Sequence, residues 1–185
     1  MTIARLVPWK GIDRLIEIFP HLNSGTRLII VGDGPDISRL EDLVYALSVD
    51  KRVIFTGRIP LNKISLYLKA ADVFVLPSSY EGLPHTILEA MLVGTPVVAT
   101  DIGGISELIE DGKDGLLFAP RDLSGLEESI SKILKDKPAA LHLVENAKGK
   151  ARQFNVDISD EKIIGILDSL TNNRVNQYNH MYVKS

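Results

Sequence analysis

Six short apolar runs recur along this chain at spacings too wide for hairpins, and helical patterns fill most of the intervals. The runs are Thr2 to Val7, Thr26 to Val31, Arg52 to Phe55, Val73 to Leu76, Pro96 to Thr100 and Leu116 to Phe118. Ile12, Leu15, Ile16, Ile18 and Phe19 share one helical face, and further helices are expected from about Asp36 to Leu47, Asn62 to Ala70, Pro84 to Val93 and Ile105 to Ile109. Continuous apolar strands are buried on both faces, and their alternation with helices makes neighbouring strands parallel. The expected class is therefore α/β: one Rossmann-like domain with a roughly six-stranded parallel sheet and helices on both faces. It is expected over residues 1–156, closed by helices from Leu123 to Leu134 and Ala139 to Arg152. Residues 157–185 would add a last helical pattern, Ile158 to Leu170, and a polar tail.

Composition removes several function classes. With no cysteine there is neither a disulfide, a thiolate zinc site nor a cysteine nucleophile, and His21, His85, His142 and His180 lack metal-ligand spacing. A net charge of −3 and 6% aromatic residues give no basic, stacking-rich surface for nucleic acid. No apolar run reaches the roughly 18 to 20 residues that span a bilayer, and the start of the chain lacks a signal-peptide pattern, so a cytoplasmic location is expected.

The stretch Asp72 to Gly104 carries the candidate site. A buried run leads into Ser78-Ser79-Tyr80-Glu81-Gly82-Leu83, and ligands of open α/β sheets bind outside the carboxyl ends of strands, where Glu81 falls. Pro84 suits a first helical position, so the amides of Gly82, Leu83 and the next turn would favour an anion such as phosphate. Glu89 follows Glu81 with seven residues between them, and Ile87, Leu88, Met91 and Leu92 around it suggest an acid flanked by the core. Such an acid needs partners, and the hydroxyls of a sugar or ribose would serve. On spacing alone, an ordinary helix acid and a solvated loop acid remain open readings. Arg5 and Lys10 could clamp one anion or simply be solvated. Gly32-Asp33-Gly34-Pro35 is not a dinucleotide fingerprint, because its third glycine would fall on Ile37; it reads as a turn into a helix capped by Asp33 or Asp36.

Taken together, Glu81-Gly82-Leu83-Pro84, Leu88-Glu89-Ala90-Met91, Gly94 to Thr100, Gly103-Gly104 and Glu107-Leu108 resemble the donor-binding half of the family 4 (group 1) retaining glycosyltransferases of GT-B fold. Arg5-Leu6-Val7-Pro8-Trp9-Lys10-Gly11 is similar to that family's phosphate-binding run, with Ala4 where a glycine is usual. The resemblance implies that Glu81 faces the transferred sugar and Glu89 holds the ribose, and that Arg5 and Lys10 contact the diphosphate. It further implies that Gly32 and Gly34 lie near the nucleotide and that Gly57, Arg58 and Ile59 present groups to the base. Arg58 could equally reach a phosphate or stay exposed.

The implied reaction is hexosyl transfer from a nucleotide-diphosphate sugar to an acceptor with retention, in polysaccharide or glycolipid assembly. Cations of the protein would take the place of a metal, since no Asp-x-Asp pair occurs. No cofactor is expected. The resemblance covers only the donor half, nearly all of residues 4–135, so the acceptor would sit on an N-terminal domain or separate subunit, and location at the inner membrane face would depend on that part. The chain would then be an excised domain, a truncated frame or a natural subunit, inactive alone, with Ile158 to Leu170 an apolar face favouring self-association. Two other readings stand beside it: a non-catalytic nucleotide-sugar or partner-binding module, and a glycoside hydrolase using Glu81 and Glu89 as acid and base, which the phosphate-binding features disfavour.

Overall fold

The computed structural model describes residues 1–152. The order is β1 (Thr2–Ile3), α1 (Ile12–Ile18), β2 (Leu28–Val31), α2 (Ile37–Ala46), β3 (Val53–Gly57), α3 (Leu61–Lys69), β4 (Phe74–Leu76), α4 (His85–Val93), β5 (Val97–Thr100), α5 (Gly103–Leu108), β6 (Leu116–Phe118), α6 (Leu123–Lys135) and α7 (Lys137–Ala151). All six expected strands form. The expected helix at Ile158 to Leu170 lies outside the described residues.

Every ladder is parallel. They form two three-stranded sheets, β1-β2-β3 and β4-β5-β6, instead of the single six-stranded sheet expected. Met1 bridges the two: its N–H donates to the Val73 carbonyl at 2.7 Å, and its own carbonyl accepts from Val75 N–H at 2.8 Å. The spatial order is thus β3-β2-β1-β4-β5-β6, with the direction of winding reversing between β1 and β4.

Both faces are covered. Val75 and Val98 belong to a core with Leu15, Ile16 and Phe19 of the α1 region, Leu40 of α2 and Leu126 and Ile130 of α6. Phe74, Leu76, Val97 and Ala99 point to the other face by strand alternation, where α4 packs on β4 and β5 with Ile87, Ala90 and Met91 wholly buried. No helix among the described residues is long and apolar enough to cross a membrane.

Some boundaries move for visible reasons. β1 ends at Ile3, not Val7: Ala4 N–H still donates to Val31, the last residue of β2, but Leu6 N–H then reaches Asp33 in the loop after β2, both at 3.0 Å. Arg5 therefore lies in the loop that follows β1. β3 runs on to Gly57, which takes a left-handed φ of 66° as the strand stops. Neither Asp33 nor Asp36 caps α2; Asp33 accepts from its neighbour Gly34 N–H, and Asp36 is clasped at 2.7 Å by both Nε and Nη2 of Arg39. These hydrogen bonds raise the Arg39 pKa further above its ordinary value.

α7 is tied down by one buried acid. Asp114, 3% exposed, accepts from Glu110 N–H at 2.8 Å and from Lys150 Nζ at 3.0 Å. Replacing it by alanine leaves a partly buried amide without its acceptor and removes the α7 cation's partner. Asp114→Ala is expected to destabilise the chain by about 2–3 kcal/mol, measured as a shift of the urea midpoint at unchanged slope.

Candidate functional site

All connections that follow strands open onto one end of the sheet, and the reversal between β1 and β4 leaves a crevice there. The loops after β1 and β4 meet across it. Ser79 donates from its backbone N–H and its Oγ to the Trp9 carbonyl, at 2.7 and 3.1 Å. Gly11 lies so close to the Pro77 carbonyl that a Cβ there would overlap it, and Arg14 Nη1 donates to the same carbonyl at 3.4 Å.

At this junction Lys10 Nζ lies 2.5 Å from Glu81 Oε1, the two side chains 20% and 10% exposed. Ser78 Oγ donates to the same oxygen at 2.7 Å. An ammonium and a carboxylate held here are largely withdrawn from water, so their attraction is screened less than that of a surface pair. The arrangement leaves one carboxylate and one cation at the mouth of the crevice, preset by backbone contacts between two loops.

Beside it a cleft of about 490 Å³ is lined by Ile3, Ala4, Arg5, Val31, Gly32, Asp33, Arg58, Ile59, Leu61, Ile64 and Thr86. Its size is within the range of small-molecule sites. Arg5 is exposed and has no salt-bridge partner among the described residues. Arg58 Nε approaches Asp33 Oδ2 at 3.5 Å, both side chains largely exposed. A larger cavity, about 790 Å³, lies at the opposite end of the sheet around Met1, Leu28 and Val73. It contains none of the loops that follow strands β1, β2 and β4, and we place the site in the smaller cleft for that reason.

Of the residues expected from sequence, Arg5, Gly32, Arg58 and Ile59 line one cleft, and Lys10 and Glu81 are paired next to the crevice. Gly34 supports the wall from behind, its α-carbon against the Leu6 backbone, and Gly57 ends β3. Gly82 and Leu83 are exposed in the loop, and Pro84 is buried as the residue before α4 rather than its first helical residue. Glu89 is the clear departure: it is exposed and does not line the cleft. The buried face of α4 is Ile87, Ala90 and Met91, with Leu92 half exposed, so the helix turns Glu89 away from the core instead of into it. Among the described residues no three His, Asp or Glu side chains converge on a metal position.

Sequence reasoning misses Ser78, Asp33 as a wall residue, and Thr86, Leu61 and Ile64. Ser78 has a signal, a hydroxyl three residues before the loop carboxylate; the others are brought in by the β2 loop and by helices α3 and α4 and carry none.

Comparison with known proteins decides the family. The family model for glycosyl transferases group 1 matches residues 1–150. The chain belongs to the group 1 glycosyl transferases. It is 32% identical over 151 residues to a GDP-mannose-dependent alpha-(1-6)-phosphatidylinositol monomannoside mannosyltransferase of Mycobacterium tuberculosis, covering 76% of this chain and 39% of that protein. It resembles the structure of Anabaena Alr3699/HepE in complex with UDP and glucose, with TM-score 0.86 and 31% identity over 91% of this chain and 47% of that one. It is also similar to the C-terminal domain of the group 1 protein LpcC from Francisella tularensis, with TM-score 0.76 and 25% identity over 84% and 85% of the two chains. This group 1 chain spans less than half the length of the first curated relatives it matches.

One contact holds the Glu81 loop against α5. A Cβ at Gly104 would overlap the Gly82 carbonyl oxygen, whereas a Cβ at Gly82 meets nothing. Gly104→Ala is expected to cost about 1–3 kcal/mol and Gly82→Ala to stay within about 0.5 kcal/mol, the two compared by thermal unfolding.

Proposed function

We propose that this chain is the donor-binding part of a retaining, metal-independent glycosyltransferase, taking a nucleoside-diphosphate hexose for polysaccharide or glycolipid assembly. The observation that carries the reading is the Arg5 guanidinium, without an ion-pair partner among the described residues, in a cleft at the switch point of a parallel sheet. The likeness to a structure with UDP and glucose bound supports it. Arg5 and Lys10 hold the diphosphate, a guanidinium clamping two oxygens and an ammonium acting as a point charge. The amides at the start of α4 add donors on the same side.

Charge grows on the leaving diphosphate as the glycosidic bond breaks. Fixed donors stabilise it without reorganising, which is where most of the rate gain of such a site arises. Glu81 accepts from hydroxyls of the sugar. Glu89, exposed on α4, accepts from the two ribose hydroxyls, and Gly57, Arg58 and Ile59 present the base-side wall. The acceptor is held by an N-terminal domain or a separate subunit, so the isolated chain binds donor but transfers little.

Titration calorimetry of the 185-residue chain with UDP and with GDP, in EDTA, tests this. One nucleotide is expected to bind, and Arg5→Ala or Glu89→Ala to weaken it by about 1.5–3 kcal/mol each, the worth of a hydrogen bond to a charged group. A folded chain that binds neither nucleotide, or binds only when a divalent metal is restored, would overturn the proposal.

A further inference from the structure

We infer that Ser78 is a positioning residue for the sugar-facing carboxylate: it holds Glu81 by Oε1 so that Oε2 is presented to the donor sugar whether or not Lys10 remains paired. The inference rests on the donor-site reading of Glu81 and adds to it a residue with its own function.

Three observations converge on it. Ser78 is wholly buried, yet its hydroxyl donates to a carboxylate in the loop rather than to its own backbone. Its place is fixed from both sides, by the Pro77 carbonyl wedged against Gly11 and by the two bonds from Ser79 to the Trp9 carbonyl. And both partners of Glu81 use the same oxygen, Lys10 at 2.5 Å and Ser78 at 2.7 Å. Oε2 has no protein donor among the described residues, and it is not among the side-chain atoms sealed from water without a partner. An ionised carboxylate has about four lone-pair positions, and those on Oε2 remain for hydroxyl donors.

The need for Ser78 follows from Lys10. Its ammonium is the only charged partner of Glu81 among the described residues, and a diphosphate in the crevice competes for it. Once Lys10 swings to a phosphate, a carboxylate held by that ion pair alone would regain its rotamers. A neutral, buried hydroxyl has no reason to follow the phosphate, so it keeps Oε1 in place and the carboxylate keeps its aim. Lys10 can then serve the nucleotide and Glu81 the sugar without one contact undoing the other.

The test separates the sugar from the nucleotide. The full chain is titrated with UDP-glucose against UDP, and with GDP-mannose against GDP, in wild type, Ser78→Ala, Glu81→Ala and the double variant. Ser78→Ala is expected to leave the diphosphate affinity unchanged and to cut the extra affinity conferred by the sugar by about tenfold. In the Glu81→Ala background, where the acceptor of the Ser78 hydroxyl is absent, the same change is expected to cut nothing further, because its route of action is gone. Should Ser78→Ala fail to fold, Ser78→Cys, close in volume but a weak donor, is expected to give the same split. Equal losses for diphosphate and nucleotide sugar, or an undiminished loss in the Glu81→Ala background, would overturn the role of Ser78. A wild-type chain that binds neither sugar nucleotide nor diphosphate would instead overturn the donor-site reading beneath it.

Discussion

The constraint on which this structure depends is that parallel strands can be joined only by crossovers, so every strand delivers its following loop to the same end of the sheet. Winding that goes outward in one direction from β1 to β3 and in the other from β4 to β6 then leaves two neighbouring strands whose crossovers depart in opposite directions. In this protein those strands are β1 and β4, joined through the backbone of Met1. Their loops carry Lys10 and Glu81, seventy-one positions apart in the chain and 2.5 Å apart at their charged atoms. The site is a consequence of the strand order.

That origin explains which parts of the protein are legible in its sequence. Strands buried on both faces are apolar over nearly their whole length, so Val73-Phe74-Val75-Leu76 and Val97-Val98-Ala99 announce themselves by composition. Glu81 is legible because a loop after such a strand has a known place in the sheet. Strand ends are not. Nothing local in Ala4-Arg5-Leu6-Val7 signals that β2 runs out at Val31 and leaves the Leu6 amide to bond Asp33 in the following loop, so that β1 stops at Ile3.

Glu89 shows a different limit. Apolar residues at 87, 88, 91 and 92 describe a helical stripe wide enough to be turned either way, and the stripe alone does not say where its centre lies. Packing of α4 on β4 and β5 centres it on Ile87, Ala90 and Met91, which leaves Leu92 half exposed and carries Glu89 to the open side. A pattern of four apolar residues constrains the helix but not its rotation. The cleft wall formed by Leu61, Ile64 and Thr86 is hidden for a related reason, since it is assembled by α3 packing beside α4 and neither helix contains a chemical signature of it.

The two glutamates therefore meet a ligand under different physics. Glu81 is a tenth exposed and held by a buried hydroxyl as well as a cation, so on the proposed donor-site reading little freedom remains to be lost when a sugar hydroxyl reaches it. Glu89 is hydrated and free to rotate, and ordering its side chain costs up to about 2 kcal/mol before any hydrogen bond is counted. A pair of vicinal hydroxyls, donating twice to one carboxylate, can offset that cost where a single donor would roughly break even. Under the proposed function, the exposed acid is thus suited to a diol on the fixed, nucleotide end of a donor. Under the same proposal, the preorganised acid is suited to the sugar end, where the geometry would have to survive the departure of the diphosphate.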